Sequence, residues 1–338
     1  MKAALYEGKK KIRIIELPKP KPEKDQVVIK VNFAGICGSD LEFYKTGLWP
    51  VSCVLGHEVT GKIANLGSDV KKWKEGQRVT VYPGISCGKC YFCQRGMTNL
   101  CEKSHEGIGI GKNGGFSEFM MVPEHCLVPL PESVPDKYGT VFDQIATPLQ
   151  AFKISDFVAG SSAVVLGLGT MGQFTFQCLK LAGANSIVVV EKNSFRLDIA
   201  KRFSPDLAFN RIKLPKIKRA NTKGVSGADF VFECSGVPKL VNAALDIVRK
   251  GGTIVQIGLW DRPLEINLLK YVMNQNRIQG VIGGTKEDFE FAVELVARKL
   301  IDPGPIITKI IPLDDIVEEG FECAIDPETK NIKILVQP

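Results

Sequence analysis

The chain lacks what would place it at once in several classes. No apolar run approaches the ~20 residues that a helix needs to cross a bilayer. Met1–Lys11 is basic but is not followed by an apolar stretch and a small-residue cleavage site, so no secretory signal is read there and a cytoplasmic protein is expected. No repeat and no low-complexity tract appears, which excludes solenoid and linker-like organisation. Ten cysteines in 338 residues are too few for a disulfide scaffold. There is also no strong excess of one charge: 44 Lys+Arg face 37 Asp+Glu, a net +7. That balance could suit an anionic cofactor. The one denser basic stretch, Arg211–Lys223, has no interleaved aromatics and no nucleic-acid motif. It reads as a solvated surface, and no nucleic-acid partner is expected.

With 44% hydrophobic and 24% charged residues the composition is that of a globular protein. Its length exceeds what one core usually supports, so two domains are expected. Residues 1–145 read as mostly β: Val27–Phe33 alternates and is rich in β-branched residues, and Gly and Pro punctuate the segment. From about Ser162 strands and helices alternate. Ala163–Leu166, Ile187–Val190, Phe230–Phe232 and Thr253–Ile257 read as strands; Met171–Leu181, Asn193–Phe203 and Lys239–Val248 read as helices. Such alternation implies a parallel sheet covered on both faces. Asp288–Lys299 reads as an amphipathic helix and Asn331–Val336 as a last strand.

Three patterns carry chemistry. Gly167-Leu168-Gly169-Thr170-Met171-Gly172 is a G-x-G-x-x-G between a strand and a helix, the arrangement that lets backbone approach a pyrophosphate at a helix N-terminus. Glu191, 19 residues past Gly172 at the end of the next apolar strand, is placed to accept from adenosine ribose hydroxyls. A 2′-phosphate there would meet a carboxylate, at about 4 kcal/mol for a unit pair at roughly 4 Å and ε near 20. This favours NAD over NADP, although Lys192 and Arg196 stand close enough to blunt the effect. The second pattern is Cys87, Cys90, Cys93 and Cys101, a C-x2-C-x2-C-x7-C that suits a closed, structural zinc site. An iron–sulfur cluster is the rival, but its usual run has three residues before the fourth cysteine, with proline following. The third is Cys37-Gly38-Ser39-Asp40 with Gly56-His57-Glu58. Thiolate, imidazole and carboxylate form an incomplete zinc shell with room for water or substrate.

In this order and spacing the motifs resemble the zinc-dependent medium-chain dehydrogenase/reductase superfamily over essentially the whole chain. The style is closest to the sorbitol, threonine and 2,3-butanediol dehydrogenase branch; the tail Ile316–Phe321 and Lys333–Val336 is similar to butanediol dehydrogenases. The resemblance implies an α/β protein with a GroES-like, mostly β catalytic domain over 1–145 and 284–338, carrying a structural zinc lobe at 84–103. It also implies a Rossmann-type cofactor domain over 146–283. It implies two zinc ions per subunit, the catalytic one held by Cys37 and His57 with Glu58 as ligand or close neighbour and Asp143 as a further ligand, direct or through water. Relatives carry an acidic residue followed by proline at that last place, whereas here Gln144 follows Asp143.

Ser39 matches the hydroxyl that hydrogen-bonds the substrate oxygen, and Glu42 stands where relatives commonly have a histidine in the proton relay. Glu233, Cys234, Ser235 and Gly236 resemble the segment beside the nicotinamide, and Lys333 a basic contact to pyrophosphate. The activity implied is hydride transfer between NAD and a secondary alcohol, diol or polyol, by a homodimer or homotetramer. An open zinc site can lower the pKa of an oxygen from about 15.7 to about 7, as it does for water, which no neutral base supplies alone. Three rivals are an L-threonine 3-dehydrogenase-type oxidation of an amino alcohol, a non-catalytic nucleotide-binding zinc protein, and a zinc- and nucleic-acid-binding module. Tyr44, Trp49 and Phe116 are candidates for shaping the substrate pocket. Cys53, Cys126, Cys178 and Cys323 read as core residues; His105 and His125 belong to no motif.

Overall fold

The computed structural model describes all residues except 49–51, 104–106, 220–223 and 261–262, so Trp49, His105 and the end of the basic stretch lie outside the described residues. The chain divides into two compact units, one of Met1–Asp143 with Thr285–Pro338 and one of Gln144–Gly284.

The first unit opens with strands β1 (Lys2–Gly8), β2 (Lys11–Glu16) and β3 (Gln26–Gly35), then helix α1 (Gly38–Thr46). There follow β4 (Cys53–Val54), β5 (Glu58–Leu66), β6 (Arg78–Val81), β7 (Phe119–Pro123) and β8 (Leu127–Pro129). Helix α2 (Phe142–Ser155) leads out of the unit. The chain re-enters it through α8 (Lys286–Ala297), β15 (Ile307–Pro312), the short α9 (Cys323–Ile325) and β16 (Lys333–Gln337). A three-stranded sheet runs β2-β1-β4; a larger one runs β15-β16-β3-β5-β6-β8, with β7 also on β3. Alternation along β3 puts Val27, Ile29 and Val31 into one core with Ala4, Val59, Val79 and Phe116. The chain needs β16 as much as it needs β3, because Leu335 and Val336 pair with Gly35 and Ala34 across some 300 residues of sequence.

The second unit is a parallel six-stranded sheet in the order β11-β10-β9-β12-β13-β14. Its strands are β9 (Ser162–Leu166), β10 (Ser186–Val190), β11 (Leu207–Phe209), β12 (Ala228–Glu233), β13 (Val248–Gln256) and β14 (Arg277–Gly280). The helices are α3 (Thr170–Leu181), α4 (Ser194–Lys201), α5 (Leu214–Arg219), α6 (Lys239–Ile247) and α7 (Leu268–Met273). β9, β10 and β12 are buried at every position, as strands covered on both faces must be. Their residues divide between two cores, Val165, Val189 and Phe232 in one and Val164, Val188 and Val231 in the other. Chain order reverses between β9 and β12, and a doubly wound sheet binds ligands at that switch point, outside the carboxyl ends of its strands. The expected α/β architecture, with a mostly β portion and a doubly wound parallel sheet, is what the chain forms.

Candidate active site and metal centres

The open metal centre is assembled where three strand ends meet. β3 stops at Gly35, and Cys37 follows as N-cap of α1 with extended φ −90° and ψ 158°. β5 starts at Glu58, paired with Gly35, and the first residue of β16 is Lys333. Cys37, His57 and Glu58 each offer a ligand atom, and these lie within 4.8 Å of one another. Among the described residues this is one of two groups of His, Cys, Asp or Glu so arranged.

The neighbours of the trio explain its poise. His57 and Glu58 are buried. Burial alone would lower the His57 pKa, but the charges of Cys37, Asp40 and Glu58 carry it well above the usual histidine range. Asp40 is fully buried, and burial pushes its carboxyl up to about 6 against the pull of His57. Its Oδ2 accepts from the Cys37 N–H at 2.9 Å, closing the first turn of α1. Its Oδ1 and His57 Nδ1 are both buried without a hydrogen-bond partner and stand 3.7 Å apart. A cluster that is rich in anionic donors and leaves a buried ring nitrogen beside a buried carboxylate is suited to a cation, and zinc fits the soft thiolate–imidazole set. The motif Cys37-Gly38-Ser39-Asp40 alone assigns Asp40 no role. The signal for it is its place three residues after the N-cap, where an acid can reach back to cap the helix.

The other expected residues of this centre fall differently. Asp143 lies outside the trio, near enough for its carboxyl, raised by burial, to feel His57, Glu58 and Lys333. Ser39 sits half-buried in the first turn of α1. The Glu42 carboxylate pairs with Lys45 at 3.1 Å. Lys333, expected as a contact to pyrophosphate, is buried, ion-paired with Glu58, and donates to the Ile36 carbonyl at 3.0 Å. A buried ammonium needs a partner, and Glu58 is the one provided. Gly35 makes room for both, since a Cβ there would meet Glu58 Oε2 and come within 2.9 Å of Lys333 Cε. Of the pocket candidates, Tyr44 donates to Glu322 at 2.8 Å and packs on Phe321, while Phe116 lies against Gly56; both are core residues.

The four-cysteine lobe folds on short turns. Gly88 (φ +70°) and Gly96 (φ +76°) take left-handed conformations, and 3-10 turns cover Cys93–Arg95 and Thr98–Leu100. The sulfurs of Cys87, Cys90, Cys93 and Cys101 lie within 4.8 Å of one another, and all four are free thiols. Backbone N–H groups point at them: Cys87 N–H at Cys101 Sγ and Cys90 N–H at Cys87 Sγ, each at 3.3 Å. The N–H groups of Cys93 and Glu102 pull the Cys90 thiol down to about 6, towards the thiolate that metals bind. The lobe leaves Tyr91 and Leu100 exposed, so a bound ion would do the work of a core.

In the second unit the glycine loop is built for close approach. Gly167 has φ +87°, and a Cβ there would come within 2.6 Å of the Ser235 Cβ. A Cβ on Gly172 would strike the Gly167 carbonyl oxygen. Above Gly169 there is open space, and as N-cap of α3 it has no capping side chain, so the N–H groups of Thr170, Met171 and Gly172 begin an uncapped helix. That cradle fits a pyrophosphate. Glu191 is buried at the end of β10 and accepts from Leu168 N–H at 2.6 Å and Asn193 N–H at 2.9 Å, which fixes it beside the loop. Lys192 is exposed; the Arg196 Nε is buried without a hydrogen-bond partner. Cys234, Ser235 and Gly236 form the turn after β12, and Glu233, of the same segment, ends the strand and anchors the turn.

Comparison with known proteins agrees with this geometry. Residues 23–132 match the alcohol dehydrogenase GroES-like domain and residues 170–298 the zinc-binding dehydrogenase domain. The chain is 32% identical to the (R,R)-butanediol dehydrogenase of Saccharomyces cerevisiae, covering 100% of this chain and 98% of that one. It is 27% identical to the L-threonine 3-dehydrogenase of Shewanella putrefaciens, over 94% of each. The crystal structure of 2R,3R-butanediol dehydrogenase from Bacillus subtilis superposes with a TM-score of 0.88 at 30% identity, over 100% and 99% of the two chains. Two further solved relatives hold coenzymes. A putative zinc-binding dehydrogenase from Sinorhizobium meliloti 1021 is bound to NADP, with TM-score 0.87, 28% identity and 100% and 99% coverage. A short chain alcohol dehydrogenase from Escherichia coli CFT073 is complexed with NADH, with TM-score 0.91, 27% identity and 100% and 99% coverage. The chain belongs to the zinc-dependent medium-chain alcohol dehydrogenase superfamily. It is an oxidoreductase that uses zinc and a nicotinamide dinucleotide.

Proposed function

We propose that the protein oxidises a secondary alcohol, with a vicinal diol of the butanediol kind as first choice, and reduces the corresponding ketone in reverse. The observation that carries this is the trio Cys37, His57 and Glu58, whose ligand atoms lie within 4.8 Å of one another as a set of three, where the lobe gathers four. When bound, zinc supplies Lewis-acid stabilisation of charge on the substrate oxygen and the dinucleotide accepts hydride. The chain's own residues do the rest. Cys37 and His57 hold the metal, Asp40 orients the His57 ring, Glu58 is ligand or close neighbour, and Asp143 adds an acid group directly or through water. Ser39 takes the hydroxyl proton, and Glu42 extends the relay towards solvent.

The glycine loop with Thr170 and Met171 binds the pyrophosphate, and Glu191 selects NAD, because its carboxylate is held in place by two backbone donors. Lys192 and Arg196 border the adenosine side, and the turn of Cys234, Ser235 and Gly236 the nicotinamide side. Cys87, Cys90, Cys93 and Cys101 hold a second, structural zinc. Free thiols in a metal lobe suit a reducing compartment, and we place the protein in the cytoplasm. Among the described residues no helix is long and apolar enough to cross a membrane. The active form we propose is a homo-oligomer, dimer or tetramer, supported by the apolar patch of α7 (Leu268, Leu269, Val272 and Met273, each at least 63% exposed) beside the edge strand β14.

Metal analysis tests the site: Cys37→Ser should lower zinc from about two ions per chain to about one and abolish turnover, and retention of both ions with full activity would refute the assignment. A panel of diols, polyols, simple secondary alcohols and L-threonine with NAD and NADP tests the substrate. A preference for L-threonine would replace the diol reading with the amino-alcohol one that the Shewanella relative suggests.

A further inference from the structure

Two buried carboxylates of the second unit, Glu191 and Glu233, have no cation within ion-pair distance among the described residues, and Glu191 already stands on the adenosine side of the glycine loop. Glu233, the last residue of β12, is fully buried. Its Oε1 accepts from the Ser235 N–H at 2.9 Å and from the Ser235 hydroxyl. Its Oε2 accepts from the Gly236 N–H at 3.2 Å and from Gln256 Nε2 at 2.7 Å. Four donors and no acceptor suit a carboxylate that carries no proton. Among the described residues no lysine, arginine or histidine is within ion-pair distance of it. Its charge, after burial itself, raises the Cys234 thiol. The four donors tie together the turn after β12 and the end of β13. The fit is close enough that a Cβ on Gly258 would come within 2.5 Å of Glu233 Oε2. Joining two turns requires hydrogen bonds and no net charge. A buried, unpaired charge is costly, so its presence calls for a function that needs charge.

The sheet order indicates one. Glu191 marks the adenosine side of the switch point, at the end of β10, so the nicotinamide half of the dinucleotide belongs at the ends of β12 and β13. Ser235, held by Glu233, packs on Gly167 of the phosphate loop. The oxidised nicotinamide ring carries a positive charge that the reduced ring lacks. We propose that Glu233 is a fixed negative charge that sets the cofactor preference, tightening binding of the oxidised dinucleotide relative to the reduced one. The proposal rests on the family's use of a nicotinamide dinucleotide and holds whether NAD or NADP is the pair bound.

The test uses the full chain loaded with zinc, at one pH and one salt concentration. The dissociation constant of the oxidised form is measured by calorimetry and that of the reduced form by its fluorescence. Glu233→Gln should raise the ratio of oxidised to reduced dissociation constants by about five- to tenfold, the scale of one screened unit charge. Gln256→Lys, which sets an ammonium against the carboxylate, should move the ratio in the same direction and decides alone if Glu233→Gln does not fold. Gln256→Met removes one donor but keeps the charge, and should leave the ratio within about twofold whatever happens to the separate affinities. Equal weakening of both forms by Glu233→Gln, or an unchanged ratio in Gln256→Lys, would overturn the proposal. Failure of the unmodified protein to bind either form would instead remove the cofactor assignment on which it rests.

Discussion

At the scale of single residues, two buried side chains make the strongest demands. Lys333 and Glu58 pair inside the first unit, and removing the lysine takes away the buried ammonium that this carboxylate faces. Lys333→Met should therefore lower stability by about 3–5 kcal/mol, read as a drop in denaturant midpoint. If Lys333 were instead a surface contact to pyrophosphate, the same variant would keep its stability and lose dinucleotide affinity alone. Tyr82 is buried too, and burial raises its hydroxyl pKa to about 12 from the usual 10. Between these values the unfolded chain releases the proton and the folded chain keeps it, so the unfolded state binds fewer protons and stability falls as pH rises. By pH 11 this amounts to about 1.4 kcal/mol for one unit of difference. Unfolding midpoints of wild type and Tyr82→Phe, followed from pH 8 to 11, should diverge by about that amount, with the wild type losing more.

At the scale of elements, the glycine loop shows how sequence becomes a binding surface. Gly172 is required because its Cα lies against the Gly167 carbonyl, where a methyl group has no room. Gly172→Ala should push α3 off the end of β9, weakening dinucleotide binding by more than tenfold and costing about 1–3 kcal/mol; titration of the dinucleotide and chemical unfolding check the two halves. Wild-type affinity in that variant would mean that the loop moves freely, contrary to its packing.

The strands of this sheet were legible because β9, β10 and β12 are continuous apolar runs with glycine or polar stops. β14 was not, since Arg277-Ile278-Gln279-Gly280 holds one aliphatic side chain and lies at the edge, where no second neighbour demands more. α1 was also missed. It buries only Asp40 and Tyr44, so it has no apolar stripe, and its start is fixed by a reach-back from Asp40 that periodicity does not register. The two clusters, Cys37 with His57 and Glu58 and the four cysteines of the lobe, could be read from spacing, whereas the Glu58–Lys333 pair could not, because it depends on β3 drawing together positions 275 residues apart.

At the scale of the whole molecule, chemistry is divided between two compact units. The first gathers both clusters proposed to hold metal and the acid groups around them; the second carries the glycine loop proposed as the dinucleotide cradle. The second unit ends in an unprotected edge. Among the described residues β14 is paired on one side only, and next to it in sequence α7 exposes Leu268, Leu269, Val272 and Met273, with Ile282 following the strand at 52% exposure. A free edge strand flanked by apolar side chains invites aggregation unless something covers it, and a second copy related by a twofold axis could cover both edges with one self-complementary contact. Leu269→Glu places a carboxylate in that contact twice over and should shift the protein to monomer at micromolar concentration, as read by sedimentation velocity. Because Leu269 is exposed in the single chain, the variant should unfold at the wild-type denaturant concentration when both are compared as monomers. A wild type that is monomeric, or a variant that remains oligomeric with unchanged dissociation, would mean that the assembly uses another face.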